Sequence, residues 1–129
     1  VEGYGEEIYL NDNLISFHKA LREVSLCICT HNATTFLESI ALGVPTIVFW
    51  RPEYNELRET AKPYFKMLEN VGILHYSASS AACLVNNIGR NAYSWWNERN
   101  RQEVIKEFKN QFIYTNQDWL SEWKESIIW

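Results

Sequence analysis

The fold is decided by residues 26–50, which have the sequence LCICTHNATTFLESIALGVPTIVFW. A short apolar run at residues 26–29 and a β-branched and aromatic run at residues 46–50 each predict a buried strand. Between them, apolar side chains recur at helical spacing from Phe36 to Ala41. Gly43 followed by Pro45 is typical of a helix end. The segment therefore predicts a strand–helix–strand unit of a parallel sheet.

The polar residues of this unit follow its first strand. They are Thr30, His31, Asn32, Thr34 and Thr35, with Glu38 one turn further on. In open parallel sheets, ligands bind beyond the carboxyl ends of the strands. These six residues are therefore candidates for a binding site.

Two interpretations of this turn remain open. In the first, the residues cap a helix: Thr35 and Glu38 fit the Thr-x-x-Glu capping box, or Asn32 caps a helix that starts one residue later. In the second, the hydroxyls of Thr34 and Thr35 join the free N–H groups of the helix start and bind an anion. A cap needs only one such side chain, so the number of polar residues favours the anion site.

Composition limits the class of protein. The chain has 129 residues, of which 47% are hydrophobic and 15% aromatic, which predicts a folded domain with a real core. The formal net charge is −4 and no basic run is visible, which argues against nucleic acid as a partner. The sequence predicts neither a membrane span nor a signal peptide.

The three cysteines do not predict a disulfide framework. Cys27 and Cys29 are two residues apart on one predicted strand, and Cys83 is distant in a helical pattern. This usage fits a reducing, cytoplasmic setting. Because the spacing of Cys27, Cys29 and His31 matches no common zinc arrangement, we predict no metal.

The remaining chain alternates between strand and helix patterns. Strands are predicted over residues 7–10, 26–29, 46–50 and 73–76, and helices over 14–24, 36–42, 56–70, 77–89, 95–112 and 116–127, with a break near Lys62 caused by Pro63. Ser77 or Ser79 is expected to cap the fourth helix. This order predicts an α/β fold with a parallel sheet flanked by helices, whose strand order reverses beside the strand that ends at Cys29.

Other polar residues are ambiguous. Arg51 and Asn55 lie in the loop that follows the carboxyl end of another predicted strand, so they are expected at the same crevice. Arg51 either binds a phosphate or carboxylate, or lies in a solvated loop anchored by Pro52. His18 is predicted to be packed with one hydrogen bond. His75 is predicted to be structural, with a place in the crevice as the alternative.

The chain lacks both Gly-x-Gly-x-x-Gly and a P-loop lysine. Its residues Thr35, Glu38 and the run 41–45 (ALGVP) resemble the nucleotide-sugar-binding stretch in the carboxyl-terminal domain of GT-B glycosyltransferases. A longer pattern, which adds residues 30–38, 45–50, 61–65 and Trp95–Trp96, is similar to a family of bacterial transferases encoded with surface-carbohydrate genes.

The resemblance implies a Rossmann-like half of a GT-B fold, with a donor-binding domain at residues 1–92 and carboxyl-terminal helices at residues 93–129. It implies a nucleotide-sugar donor as substrate and no cofactor. Thr34 and Thr35 would contact the donor phosphates, and Glu38 would accept a hydrogen bond from the ribose or sugar hydroxyls. Thr30, His31, Asn32, Arg51 and Asn55 complete the expected donor site.

The resemblance also implies that this chain alone is inactive. GT-B catalysis takes place between two domains, so the acceptor site and catalytic base are expected on an amino-terminal domain. Without that partner, Trp119, Trp123 and Trp129 would favour a homodimer through the last helices. The setting is cytoplasmic, either free or peripheral at the inner face of the membrane. A nucleotide-sugar epimerase of the same architecture and a non-catalytic nucleotide-binding module are the alternatives.

Overall fold

The computed structural model describes residues 8–12, 15–54 and 56–127. The elements are, in chain order, α1 (Phe17–Glu23), β1 (Cys27–Cys29), α2 (Thr34–Ala41), β2 (Thr46–Phe49), a short 3-10 helix (Pro52–Tyr54), α3 (Lys62–Asn70), β3 (Leu74–His75), α4 (Ala78–Ile88), α5 (Ala92–Trp96), α6 (Arg99–Phe112) and α7 (Trp119–Ser126). This confirms the predicted α/β fold with a helical carboxyl-terminal region.

The three strands form a parallel sheet in the order β1-β2-β3. Cys27 lies opposite Thr46, and Val48 lies opposite Leu74. Residues 46–48 of the central strand are all buried, as expected when both faces of a parallel sheet are covered. In the described part of the chain, β1 is an edge strand, so the predicted reversal of strand order beside Cys29 is not observed.

The fourth predicted strand, at residues 7–10, is wrong over its described part. Residues 8–10 adopt no regular structure, and their side chains Ile8, Tyr9 and Leu10 are all exposed. A strand of this length needs a neighbour and an apolar face to bury. Glu7 lies outside the described residues.

The same turn leads from α2 into β2 and from α3 into β3. After α2, the N–H of Gly43 donates to the Ile40 carbonyl at 3.0 Å and the N–H of Val44 donates to the Ser39 carbonyl at 3.1 Å. This is a Schellman motif, and it needs the left-handed backbone that Gly43 adopts at φ +73°. Gly72 makes the equivalent turn after α3, at φ +78°.

Aromatic side chains form the core between the crossover helices and α6. Phe36 of α2, Phe65 of α3 and Phe108 of α6 are almost fully buried, and their ring centroids lie 5.4–6.3 Å apart. Trp50 follows β2, and its ring centroid lies 6.0 Å from the ring centroids of both Phe36 and Phe65. This cluster fixes the end of β2 against α2 and α3, and it therefore fixes where the loop after β2 emerges.

The starts of α1, α3 and α7 differ from the prediction, and α7 begins at Trp119 rather than at residue 116. α1 begins at Phe17, where the Ser16 hydroxyl accepts from the Lys19 N–H, rather than near residue 14; Leu14 lies outside the described residues. α3 begins only at Lys62, because Pro63 is tolerated in the first turn of a helix but not in its interior. The predicted break near Lys62 is thus confirmed, but residues 56–61 are not helical.

The prediction that Trp95 and Trp96 open a long helix is wrong. They end the short α5, and the long α6 starts at Arg99. The Arg101 guanidinium donates to the carbonyls of Val71 and Trp95, and its carbon lies 4.3 Å from the centroid of the Trp95 ring. Gln102 donates to the Trp96 carbonyl at 2.7 Å. These side chains donate hydrogen bonds to carbonyl oxygens at the end of α5, which have no partner within the helix.

The last helix, α7, buries none of its residues. Trp119 and Trp123 are 61% and 64% exposed. The predicted partner for this face, an amino-terminal domain or a second copy, stays a prediction, and Trp129 lies outside the described residues. None of the helices in the described part of the chain has the length and apolar character of a membrane span.

Candidate functional site

The segments that follow the carboxyl ends of all three strands line one cleft, which has a volume of about 730 Å³. Thr30 and His31 follow β1, Arg51 follows β2, and Ser77 and Ser79 follow β3. Phe49, Trp50, Tyr76 and Ala78 complete the lining. Of the predicted site residues, the structure therefore brings Thr30, His31 and Arg51 together, although they are up to 21 positions apart in sequence.

The cleft suits an anion. Arg51 is exposed, and no carboxylate is present among the described residues that line the cleft. An arginine presents a planar fork of donors that matches the oxygens of a phosphate or carboxylate. Thr30, Ser77 and Ser79 line the same cleft and add neutral hydroxyl groups that can form hydrogen bonds.

The helix start after β1 is not capped as either capping hypothesis predicts. The residue in the N-cap position is Ala33, whose extended backbone (φ −143°, ψ 177°) precedes α2 and whose side chain has no oxygen. Thr35 is already the second helical residue, and Asn32 precedes the N-cap. The N-cap residue itself therefore makes no side-chain bond to the first N–H groups of α2, which are of the kind that bind anions.

Thr34 and Thr35 differ in their surroundings. Thr34 is exposed at the first position of α2, whereas Thr35 is half-buried and its hydroxyl hydrogen-bonds the thiol of Cys29. Neither threonine lines the 730 Å³ cleft, which lies against the preceding residues Thr30 and His31. Asn32 is exposed in the same turn, and Asn55 lies outside the described residues.

Glu38 forms a hydrogen bond that the sequence does not predict. Its Oε2 atom lies 2.8 Å from Nε2 of His18 on α1. Both side chains are accessible, 65% for His18 and 40% for Glu38. The prediction of one hydrogen bond for His18 is confirmed, but its packing is not, because the apolar face of α1 buries only Leu21.

The start of α4 also lines the cleft, whereas the sequence predicted only that Ser77 or Ser79 caps this helix. Ser77 is the N-cap residue, and its hydroxyl accepts from the Ser80 N–H at 3.1 Å. The run from Tyr76 to Ser80 carries three serines directly after a strand, which is the signal that could have placed it at the crevice. Tyr76 is 38% exposed and also borders two neighbouring clefts.

A second cleft of about 600 Å³ shares Trp50 and Tyr76 with the first. It is lined further by Glu56, Glu59, Lys62 and Lys66, together with Pro52 and Leu57. Lys62 pairs with Glu59, and Lys66 pairs with Glu69 at 3.0 Å. Because its charged side chains have both signs and are mostly paired, this cleft is less suited to bind an anion than the cleft beside Arg51.

The thiols of Cys27 and Cys29 point to the same face of β1, with their sulfur atoms 3.7 Å apart. Cys29 is buried and keeps its proton, so it donates to the more accessible Cys27 sulfur. The Cys29 thiol thereby lowers the pKa of Cys27 to about 6, against the opposing effect of burial. No group of three or more potential metal ligands occurs in the described part of the chain.

Comparison with protein families gives a match to the LIC12162 family transferase over residues 4–127. The chain belongs to this family. The prediction of a transferase is therefore confirmed at the level of the family. Comparisons with curated proteins and with solved structures gave no match.

Proposed function

We propose that this member of the LIC12162 transferase family binds the nucleotide-sugar donor of a glycosyltransferase or related transferase that acts in surface-polysaccharide biosynthesis. The observation that carries the proposal is the 730 Å³ cleft. It lies where parallel sheets bind ligands, and it combines Arg51 with hydroxyl groups and lacks a carboxylate among its described residues. A sugar diphosphate needs both kinds of group.

In this proposal Arg51 binds the diphosphate with its guanidinium, and Thr30, Ser77 and Ser79 donate hydroxyl hydrogen bonds to the remaining oxygens. His31 borders the same volume and contacts the donor from the β1 side. The first turn of α2, with Thr34 and Thr35, extends the anion-binding surface along the chain.

Glu38 has the sugar-binding role in the proposal. An ionised carboxylate accepts hydrogen bonds and donates none, so it suits the hydroxyls of a ribose or of the transferred sugar. Its bond to His18 occupies Oε2 and orients the side chain on α2. A carboxylate can accept several hydrogen bonds, so this bond leaves capacity for a ligand.

The catalytic base and acceptor site belong, in the same proposal, to an amino-terminal domain facing the cleft. This division predicts donor binding without transfer by residues 1–129 alone. Product analysis with the second domain added separates the candidate activities. A transferase moves the sugar to an acceptor and releases nucleotide, an epimerase converts the donor without an acceptor, and a binding module does neither.

The direct test measures binding of UDP-, GDP-, CDP- and CMP-linked sugars by calorimetry. We expect one donor class to bind and Arg51→Gln to weaken it about 10- to 100-fold, because a charge-assisted hydrogen bond contributes about 1.5–3 kcal/mol. Arg90→Gln is the matched control, because Arg90 is exposed beyond the opposite end of α4. Equal binding by the two variants would contradict the proposal.

A further inference from the structure

His75 is held between two oxygen atoms at the end of β3. Its Nε2 atom lies 2.9 Å from the carbonyl oxygen of Gly72, and its Nδ1 atom lies 2.7 Å from the hydroxyl oxygen of Ser80. A backbone carbonyl only accepts hydrogen bonds, so Nε2 must carry a proton. In the neutral ring Nδ1 then has the free lone pair, and the Ser80 hydroxyl donates to it.

These three groups have the relationship that an activated nucleophile requires. A hydroxyl donates to a base, and a third group fixes the tautomer and orientation of that base. Ser80 is exposed in the first turn of α4, where the positive end of the helix dipole favours negative charge on its oxygen. We propose that Ser80 is a nucleophile, with His75 as its general base, that attacks the carbonyl carbon of small uncharged carboxylic esters. The proposal does not depend on donor binding.

The surrounding cleft determines the class of ester. It has a volume of about 400 Å³ and is lined by Glu69, Leu74, His75, Tyr76, Ser77 and Ser80. The Glu69 carboxylate is paired with Lys66 at 3.0 Å, and no cationic side chain is present among the described residues that line this cleft to bind a negatively charged substrate. Burial, followed by the nearby Glu69, raises the pKa of Tyr76, so the phenol stays protonated at neutral pH and adds no second negative charge. A small neutral acyl group fits this volume and charge.

The chemical step needs no group beyond the ester and water. As the Ser80 oxygen forms a bond to the ester carbonyl carbon, its proton passes to Nδ1 of His75. The carbon–oxygen bond to the leaving alcohol then breaks, and the alkoxide takes the proton from His75. Water attacks the acyl-serine in the same way, giving its proton to His75, and the carboxylic acid leaves as Ser80 recovers its proton.

Ser121 provides a matched control in another helix. It is the third residue of α7, as Ser80 is of α4, and both serines are exposed. A general reactivity of exposed hydroxyls in the first turn of a helix would therefore affect both. Activation by His75 affects only Ser80.

The test combines labelling by a fluorophosphonate with release of p-nitrophenolate from p-nitrophenyl acetate by the full chain. We expect one label, on Ser80, which Ser80→Ala removes and Ser121→Ala does not. His75→Gln keeps a hydrogen-bond acceptor for the hydroxyl but no base, and we expect it to slow both reactions about 100-fold or more. A singly negative p-nitrophenyl ester should react more slowly than the acetate.

The measurements also include circular dichroism and thermal unfolding of each variant. A purely structural His75–Ser80 contact predicts lower stability in Ser80→Ala and no labelling of the folded wild-type chain. That result, or labelling of His75→Gln at the wild-type rate, would overturn the proposal. Equal rates for the neutral and anionic esters would overturn the assigned substrate class. If His75→Gln does not fold, the site of labelling in the wild type and in Ser121→Ala still decides the role of Ser80.

Discussion

At the amino end of β2 the polar side chain is buried and hydrogen-bonded within the protein, whereas just after the carboxyl end of the same strand it is exposed to solvent. Thr46 is fully buried, and its hydroxyl donates to the Val44 carbonyl and accepts from the Ser39 hydroxyl, both at 2.7 Å. Five residues later, Arg51 is exposed beside a cleft. One strand of four residues thus connects a structural end with a candidate binding end.

The difference shows how the two ends use hydrogen-bonding capacity. A buried hydroxyl must find its partners inside the protein, or its desolvation destabilises the fold. An exposed group can exchange water for a ligand at little cost to stability, and binding residues are therefore concentrated in such loops. We expect substitutions at the amino end to change stability, and substitutions at the carboxyl end to change binding.

The largest effect that we expect concerns the ionisation of Cys27, at the amino end of β1. Because its pKa is lowered to about 6, mainly by the Cys29 thiol, Cys27 should be mostly thiolate at neutral pH. Its alkylation by iodoacetamide, followed by mass spectrometry, should rise with pH through about 6. Cys29→Ala should raise the pKa towards that of an ordinary thiol.

Cys83 is the internal control for this measurement, because it is an exposed cysteine on α4. Parallel pH profiles for Cys27 and Cys83 in the wild type would show that the thiol pair has no effect. A profile of Cys27 that Cys29→Ala leaves unchanged would exclude Cys29 as the cause.

The next largest effect is expected from Thr46→Val. This change keeps the shape of the side chain but leaves the buried Ser39 hydroxyl and the Val44 carbonyl each without one partner. The free energy of unfolding, measured in urea, should fall by about 1–3 kcal/mol. Thr34→Val makes the same chemical change at an exposed position, and there the change should stay within about 0.5 kcal/mol. Equal losses at the two positions would remove the distinction between the ends.

Gly43→Ala tests the turn at the amino end of β2. The Cβ atom would meet nothing within 4 Å, so only the strain of a left-handed backbone at φ +73° should appear. We expect a loss of about 1–2 kcal/mol in thermal or urea unfolding. Gly72→Ala has similar strain and a contact with Leu84 at 3.4 Å, so its loss should be equal or slightly larger. A neutral Gly43→Ala would show that the turn tolerates the side chain.

The smallest effect is expected at the exposed pair of His18 and Glu38. Accessible ion pairs contribute about 0–1 kcal/mol, because water screens them. A double-mutant cycle with His18→Ala and Glu38→Ala, measured by urea unfolding, should give a coupling energy in that range. A coupling energy above about 2 kcal/mol would indicate that this pair, like Thr46 and Ser39, stabilises the fold as a buried pair does.

Local patterns predicted much of the scaffold. The apolar runs before Thr30 and before Arg51 became β1 and β2, Gly43 and Gly89 ended their helices, and Ser77 capped α4. Each of these signals depends on the backbone of a few neighbouring residues, so sequence alone is sufficient. The strand predicted at residues 7–10 failed because its alternation of apolar side chains has no neighbouring surface to bury against.

The candidate site was only partly accessible to the same reasoning. The rule for carboxyl ends of strands placed Thr30, His31 and Arg51 together, and the structure has them around one cleft. It did not predict that Ala33 would take the N-cap position, because the register of a helix start depends on where the preceding strand stops. It also did not predict the bond between His18 and Glu38, since their separation of 20 positions has no local signature.

The sequence by itself determined the alternation of strand and helix, the glycine turn at residue 43, and the placement of polar residues after each strand. Only the tertiary structure decided which polar residues come together: Arg51 with Ser77 and Ser79 around one cleft, Ser80 with His75, and Arg101 with the carbonyl groups of Val71 and Trp95. The reason is physical. Backbone propensities act over a few residues, whereas these contacts depend on how the helices pack around the aromatic cluster of Phe36, Phe65 and Phe108.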